Sequence, residues 1–464
     1  MALSSVFFYW AFAYDLTRTD YIKLIMLYTA LFVLFYKLVT YIKSNTTFLT
    51  YLAFGFRALF ILAIPNLSQD FYRFIWDGSM ILEGLNPYLY TVESFISQGK
   101  FPVAHAQELY AGMGHLNASH FTNYPPINQL CFVIANLFPG QSILSSIIGL
   151  RLIIIVADFG TLYFGTKLLE KLKIPVYNIF WYILNPFIII ELTGNLHFEG
   201  VMIFFIIWSL YLLYKGKWQW AGVVFAFSIS VKLIPLIFLP LFYQWFVKQK
   251  VITNKMLQPP QKENISSHTT HNDLKKRIIR LILFYTIIGI TTLLLFTPFY
   301  SSEFIDNYSK TVALWFQSFE FNASLYYVAR EIGYWFRGYN EIAIIGKITP
   351  ILVLLFVLTL TFFRNNKKRI QLITAMLLVL SFYYFTATTV HPWYIATLLI
   401  LSVFTKYKFP LVWSFFIILS YLAYINVNKA DKSENLWIIG IEYLIVYGVF
   451  IWDVFKKQAP KLEA

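Results

Sequence analysis

The chain has 464 residues, of which 58% are hydrophobic, 20% aromatic and only 13% charged. A soluble domain carries roughly a quarter charged residues, so a water-soluble globule of this size is excluded. Repeated apolar runs of about 15–22 residues predict an all-α, polytopic transmembrane helical bundle instead, in a single integral-membrane domain over 1–464.

The net charge of +14 is gathered into a few connections. Lys248, Lys250, Lys255, Lys262, Lys275, Lys276, Arg277 and Arg280 crowd one of them, and Arg364, Lys367, Lys368 and Arg369 another. This is how cytoplasmic loops look under the positive-inside rule, and it argues against nucleic acid as a partner. The single cysteine, Cys131, cannot form an intramolecular disulfide. No Cys/His cluster has zinc-ligand spacing, and no phosphate-binding loop or dinucleotide fingerprint is present.

In chain order, the apolar run Ala2 to Tyr14 comes first. Its Ala11-Phe-Ala13 resembles a signal-peptidase site, but no basic region precedes it, so a retained first helix is expected. Spans are then predicted near 20–42 and 48–65, followed by a first large outer loop, 66–124. The apolar stretch 125–139 is too short to cross and reads as re-entrant or half-buried. Further spans are predicted near 142–168, 175–192 and 197–214. The run 218–247 contains Lys232 and Pro235 and reads as two short helices meeting near Lys232. A basic cytoplasmic loop, 248–277, follows, then a span near 278–299 and a second outer loop, 300–341. The last spans are expected near 342–363, 369–388, 391–405, 409–427 and 434–454, giving about 12–14 in all. In this layout the strong basic clusters share one side. The 66–124 loop, Asn195–Glu199, Lys232, the 300–341 loop and His391-Pro-Trp-Tyr394 share the other, and the ionisable groups gather there. No internal repeat suggests an inverted-repeat transporter.

The segment Ser68-Gln-Asp-Phe-Tyr-Arg-Phe-Ile-Trp-Asp-Gly78 directly follows a hydrophobic stretch. Carboxylates at the mouth of a span are costly unless they have a task. Asp70 and Asp77 share a face if the segment is helical, with Arg73 on an adjacent turn. One reading is an interfacial salt bridge. The other is a catalytic pair in which a general base takes a proton from a hydroxyl acceptor, with Asp70 preferred because it lies nearest the preceding span. Asn185-Pro186, Glu191, Gly194, Asn195, His197 and Glu199 form either a capped turn or a set that binds sugar hydroxyls. A metal held by Glu199, His197 and an Asp is a weak signal by spacing alone, so a divalent cofactor stays open. Lys232 either snorkels to the interface or neutralises a bound phosphate. His391 is a phosphate ligand or an aromatic-belt residue. In the second outer loop, Trp315, Phe316, Phe319, Glu320, Phe321 and Asn322 suit a sugar face, and equally an amphipathic interfacial helix.

Taken together, Asp70…Arg73…Trp76-Asp-Gly78…Gly84-Leu-Asn-Pro-Tyr88…Tyr124-Pro-Pro126 resembles the first outer loop of the GT-C glycosyltransferases. The likeness is strongest to mannosyltransferases related to the catalytic subunit of GPI mannosyltransferase I and to bacterial polyprenyl-phosphate-mannose-dependent enzymes. Lys232-Leu-Ile-Pro235, Asn185-Pro186 with Asn195 and His197, and His391-Pro-Trp393 also look like family positions. The resemblance implies a multi-pass protein of a bacterial plasma membrane. Its donor would be a polyprenyl-phosphate sugar and its acceptor a glycan or lipid hydroxyl. By the same resemblance Asp70 would be catalytic, while the role of Asp77, the second carboxylate of the expected catalytic pair, stays open. From the residues themselves, Lys232, Arg73 and His391 are expected to hold the donor phosphate, and Asn195, His197, Glu199, Tyr124, Glu320 and Asn322 to line the sugar or acceptor. The Asp-x-Asp form of the family is absent, Gln69-Asp-Phe-Tyr72 standing in its place, and an extra pair of N-terminal spans precedes the motif. The rival reading is a lipid-linked sugar flippase or polysaccharide transporter, which needs charges along a path through the membrane.

Overall fold

The computed structural model describes residues 1–140, 142–248, 267–317, 319–426 and 434–456. They are helical almost throughout; the β-pairing among them is an isolated bridge between Phe321 and Thr389. The predicted spans fall into two kinds. Tyr21–Ile42, Ile143–Leu172, Asp273–Phe299, Ile342–Phe362, Arg369–Thr386 and Leu436–Phe455 are long and apolar enough to cross a bilayer, and Val176–Ile183 with Pro186–Gly194 makes a seventh, bent by 49°. The rest are shorter apolar helices: Ala2–Tyr14, Glu199–Tyr214, Trp218–Val231, Ile234–Val247, Pro392–Val403 and Phe409–Tyr424. The expected span 48–65 is a helix only over Thr46–Ala58. The multi-pass helical class therefore stands.

Local sequence explains the boundaries. Asp20, Asn45, Asn185 and Asn435 each accept a backbone N–H of the helix they precede, and Ser142 and Ser145 form a reciprocal capping box. Such caps satisfy donors that lipid cannot. The expected break at Lys232 is present: the Trp218–Val231 helix stops there, Lys232 is extended, and a 3-10 segment, Ile234–Leu241, continues from Pro235. Pro126–Asn136, at 11 residues, is about 16 Å long, half a hydrocarbon core. Of the expected connector 248–277, positions 249–266 lie outside the described residues, and the chain is already helical from Ser267. The loop 300–341 is built mainly from two helices, Ser302–Gln317 and Leu325–Arg337; the side chains of Trp315 and Phe316 lie outside the described set.

The first outer loop is packed rather than loose. Its helix Asp70–Leu82 lies on Pro126–Asn136 at Gly78, where a Cβ would stand 2.6 Å from the Phe132 carbonyl oxygen. Pro126–Asn136 in turn lies on Ile143–Leu172 at Gly149, where a Cβ would meet the Ala135 oxygen at 2.7 Å. Small residues permit such close helix approach. The Gly84-to-Tyr88 turn has an equally local purpose. The Asn86 side chain accepts the Tyr88 N–H and donates to the Phe299 carbonyl, and the Tyr88 hydroxyl donates to the Tyr124 carbonyl. The Asn307 side chain donates to the Tyr88 carbonyl, so the motif ties the first outer loop to the second.

One expectation is corrected. Ionisable groups do not gather at one face alone. Arg57 and Asp158, both fully buried, pair at 2.8 Å between the Thr46–Ala58 and Ile143–Leu172 helices. Arg57 also donates to the Ala53 and Ile183 carbonyls. Arg151, also fully buried, donates to the carbonyls of Thr193, Gly194 and Ile61. Glu442 accepts from Trp413 and Asn322. These charges sit inside the apolar body, each enclosed and bonded to at least one neighbouring element, so they fasten helices together.

Candidate active site

Asp70 is the first residue of its helix and is half-buried. Burial raises its carboxyl to about 6, against the opposing pull of Lys232, with Glu199 adding a smaller rise. Asp70, Lys232 and Glu199 are thus near neighbours, drawn from three separate stretches of the sequence. The Lys232 ammonium donates to Glu199 Oε1 at 2.5 Å. The Lys232 side chain keeps 23% of its surface exposed, whereas Glu199 keeps 3%. The second oxygen of Glu199 is buried with no hydrogen-bond partner among the described residues. Glu199 thus keeps bonding capacity on one oxygen beside a partly exposed ammonium.

The backbone that carries Glu199 is unusual. Ile189–Gly194 is a π-helical turn, a distortion that recurs at functional sites. Leu196 follows with φ 64, a left-handed conformation costly for a branched residue. The Arg151 contacts to Thr193 and Gly194 hold this turn. Asn195 accepts the Leu67 N–H and so joins the turn to the strand of chain leading into Asp70. His197 is buried and stacks on Trp393 at 3.6 Å between ring centres, and Trp393 stacks on His391 at 4.6 Å. His391 in turn meets Phe321 at 5.1 Å. Backbone bonds from Phe321 to Thr388 and from Val390 to Phe321 clamp the two loops together. Tyr124 completes the near side, within electrostatic reach of Asp70, Arg73, Asp77 and Glu199.

Of the candidate residues, Asp70, Lys232, Glu199, His197, His391, Asn195 and Tyr124 therefore converge. The other four are engaged differently. Arg73 is almost fully buried and donates to Asp77 at 2.7 Å and to the carbonyls of Asn117 and His120. Asp77 is fully buried and also receives Gln129 at 3.1 Å. This pair anchors the chain leading to Tyr124, and every contact it makes is internal, so a direct phosphate contact from Arg73 is not what the geometry offers. Asn322 is fully buried; its N–H donates to Glu434, its side chain to Glu442, and its carbonyl accepts from Tyr443. Glu320 accepts from Arg330, Tyr326 and Asn340 within the second outer loop. Both shape that loop rather than the Lys232 pocket. Among the described residues no three His, Cys, Asp or Glu side chains are grouped to hold a metal.

Glu191, one of the polar residues after Asn185-Pro186, has a partner that sequence reasoning passed over: the Tyr421 hydroxyl donates to its buried carboxylate at 2.9 Å beneath His197. Tyr394 was also passed over as a site residue; it lies within electrostatic reach of Asp70 and Glu199.

Fold and site together define a multi-pass helical membrane protein with a polar cluster where several helices break. The profile of the alpha-(1->6)-mannopyranosyltransferase N-terminal domain family matches residues 12–248, and the chain belongs to that family. The matched region contains Asp70, Tyr124, Asn195, His197, Glu199 and Lys232 and stops before His391. A curated relative, alpha-(1->6)-mannopyranosyltransferase A of Corynebacterium glutamicum, is 22% identical over 186 residues, which cover 40% of this chain and 36% of that protein. The chain thus matches about a third of the relative's length.

Proposed function

We propose that this protein is a mannosyltransferase of the cell membrane. It would move mannose from a polyprenyl-phosphate donor to a hydroxyl of a glycan or lipid acceptor on the outer face, inverting the anomeric centre. The observation that carries the reading is the Asp70–Lys232–Glu199 cluster: a carboxyl raised to about 6 beside a partly open ammonium. A general base is most effective when its pKa lies near the working pH. Asp70 takes the proton of the acceptor hydroxyl as that oxygen attacks the anomeric carbon. The bond from that carbon to the phosphate oxygen breaks, and its electron pair leaves on the lipid phosphate. Lys232 stabilises the charge that develops there, so no general acid is required. His391, Trp393 and Tyr124 supply the walls against which a sugar packs. Arg73 and Asp77 act at one remove, by fixing the chain that bears Tyr124.

The test is turnover of purified protein in nanodiscs with a panel of polyprenyl-phosphate sugars and a hydroxyl acceptor. Transfer of mannose with release of the lipid phosphate is expected. Turnover with a nucleotide-sugar alone, or movement of intact lipid-linked sugar across the bilayer without cleavage, overturns the reading.

A further inference from the structure

The pair of N-terminal spans, Ala2–Tyr14 and Tyr21–Ile42, is joined by a short polar turn, 15–20. Most of its charges are used locally. Asp15 pairs with Lys23 at 2.7 Å, and Asp20 caps the helix that contains Lys23. Arg18 is the exception. It makes no ion pair among the described residues, and its guanidinium lies 4.1 Å from the centre of the Tyr424 ring. Tyr424 is not remote from the pocket. Its ring is 6.3 Å from Phe321, which stacks on His391, and 6.0 Å from Tyr421, which bonds Glu191. Tyr424 also lies within electrostatic reach of Asp70. The N-terminal turn thus places a cation over Tyr424, next to the aromatic contacts that lead through Phe321 to His391. Asn66, just ahead of the Asp70 helix, donates to the Phe12 and Leu16 carbonyls and fixes the turn there.

Charge balance shows why a second cation matters. Lys232 is already offset by Glu199, and Asp70 adds a further negative charge. An anion entering beside Lys232 alone meets two carboxylates and one ammonium. We propose that Arg18 is a second anion-binding arm of this pocket, taking the phosphate of the lipid-linked donor together with Lys232. The inference rests on the donor class proposed above. During transfer the phosphate passes from a singly charged diester to a more highly charged monoester, while Asp70 gains a proton and loses its charge. Arg18 therefore grips the released lipid phosphate more firmly than the intact donor. A planar guanidinium seated on an aromatic face retains N–H edges for phosphate oxygens.

The test uses the full-length protein in nanodiscs and measures binding of a polyprenyl phosphate directly, without turnover, in wild type, Arg18→Lys and Arg18→Ala. Arg18→Ala should weaken lipid-phosphate binding by about ten- to a hundredfold, with Arg18→Lys between the two. Thermal unfolding should be unchanged, because Arg18 is only half-buried. Transfer assays of Arg18→Ala should show a raised donor KM, a lowered kcat and relief of product inhibition. If wild type binds lipid phosphate and Arg18→Ala binds it equally well, this inference is overturned while the donor reading stands. If wild type binds no lipid phosphate, the donor reading falls and the inference with it. Equal competition by inorganic phosphate would make Arg18 part of a free-anion site and also overturn the proposal.

Discussion

Two acid–base pairs in this protein look alike in sequence and differ in what surrounds them. Arg73 and Asp77 are one helical turn apart, with side chains 2% and 0% exposed, and every polar atom facing them comes from the protein. Lys232 and Glu199 are 33 residues apart; the lysine is 23% exposed and the second carboxylate oxygen has no partner among the described residues. A pair enclosed by the protein and bonded to its own chain holds structure. A pair with an open side and spare bonding capacity can exchange partners with a substrate. Access to the surface, rather than residue type, separates scaffold from site.

The comparison breaks most visibly at Asp77. Asp77→Ala leaves the Arg73 guanidinium buried without its counter-charge, which costs about 3–5 kcal/mol. Loss of folded, monodisperse protein in detergent is expected, measured as a fall in thermal midpoint. A stable Asp77→Ala protein with normal unfolding but no activity would move Asp77 from scaffold to chemistry. Next in size is Asp70→Asn. The amide keeps shape and hydrogen bonds but cannot accept the proton, so turnover should fall by about a hundredfold or more, while lipid-phosphate binding is kept or tightened by loss of a negative charge and thermal stability stays near wild type. Full transfer activity in Asp70→Asn would remove the general base from the mechanism.

How far this division is visible in sequence depends on the residue. The break at Lys232 is legible because a lysine and a proline interrupt an apolar run that is too long for one span. The Asp70 segment is legible because it is charged, follows a hydrophobic stretch and continues into turn residues. The Arg57–Asp158 pair is not, since each charge is diluted in its own apolar run and the partners are 101 residues apart. Arg151 is hidden for a further reason: its acceptors are main-chain carbonyls exposed by a π-helical turn, which no residue-type pattern encodes. Asn322 and Glu320 read as sugar-binding types, and the structure bonds them to Glu434, Glu442 and Arg330, partners that no local pattern announces.

Lys232 sharpens the open side of the comparison. Lys232→Ala should weaken donor binding by roughly 1.5–3 kcal/mol, the cost of a charge-assisted contact, and Lys232→Arg should recover part of it. Unchanged donor affinity in Lys232→Ala would return Lys232 to a snorkelling role.

The smallest effect is the most specific. Asp70 must be ionised to accept a proton, so kcat/KM should rise with pH through about 6. The donor phosphodiester does not titrate in that range, and this acid limb therefore reports the enzyme. Lys232 favours the charged carboxylate and lowers the Asp70 pKa, whereas Glu199 disfavours it and raises the pKa. Removing each charge should move the limb in opposite directions. Lys232→Ala shifts it to higher pH. Glu199→Gln shifts it to lower pH, both by deleting a like charge and by leaving the full ammonium charge to act on Asp70. The glutamine is close in size and still accepts a bond from Lys232, so the fold is retained and the shift should be roughly one pH unit or less. A pH–rate profile for wild type and the two variants decides the matter. Opposed shifts identify Asp70 as the titrating base. Limbs that stay fixed, or that move together, would place the base at another residue and leave the Asp70–Lys232–Glu199 cluster with binding alone.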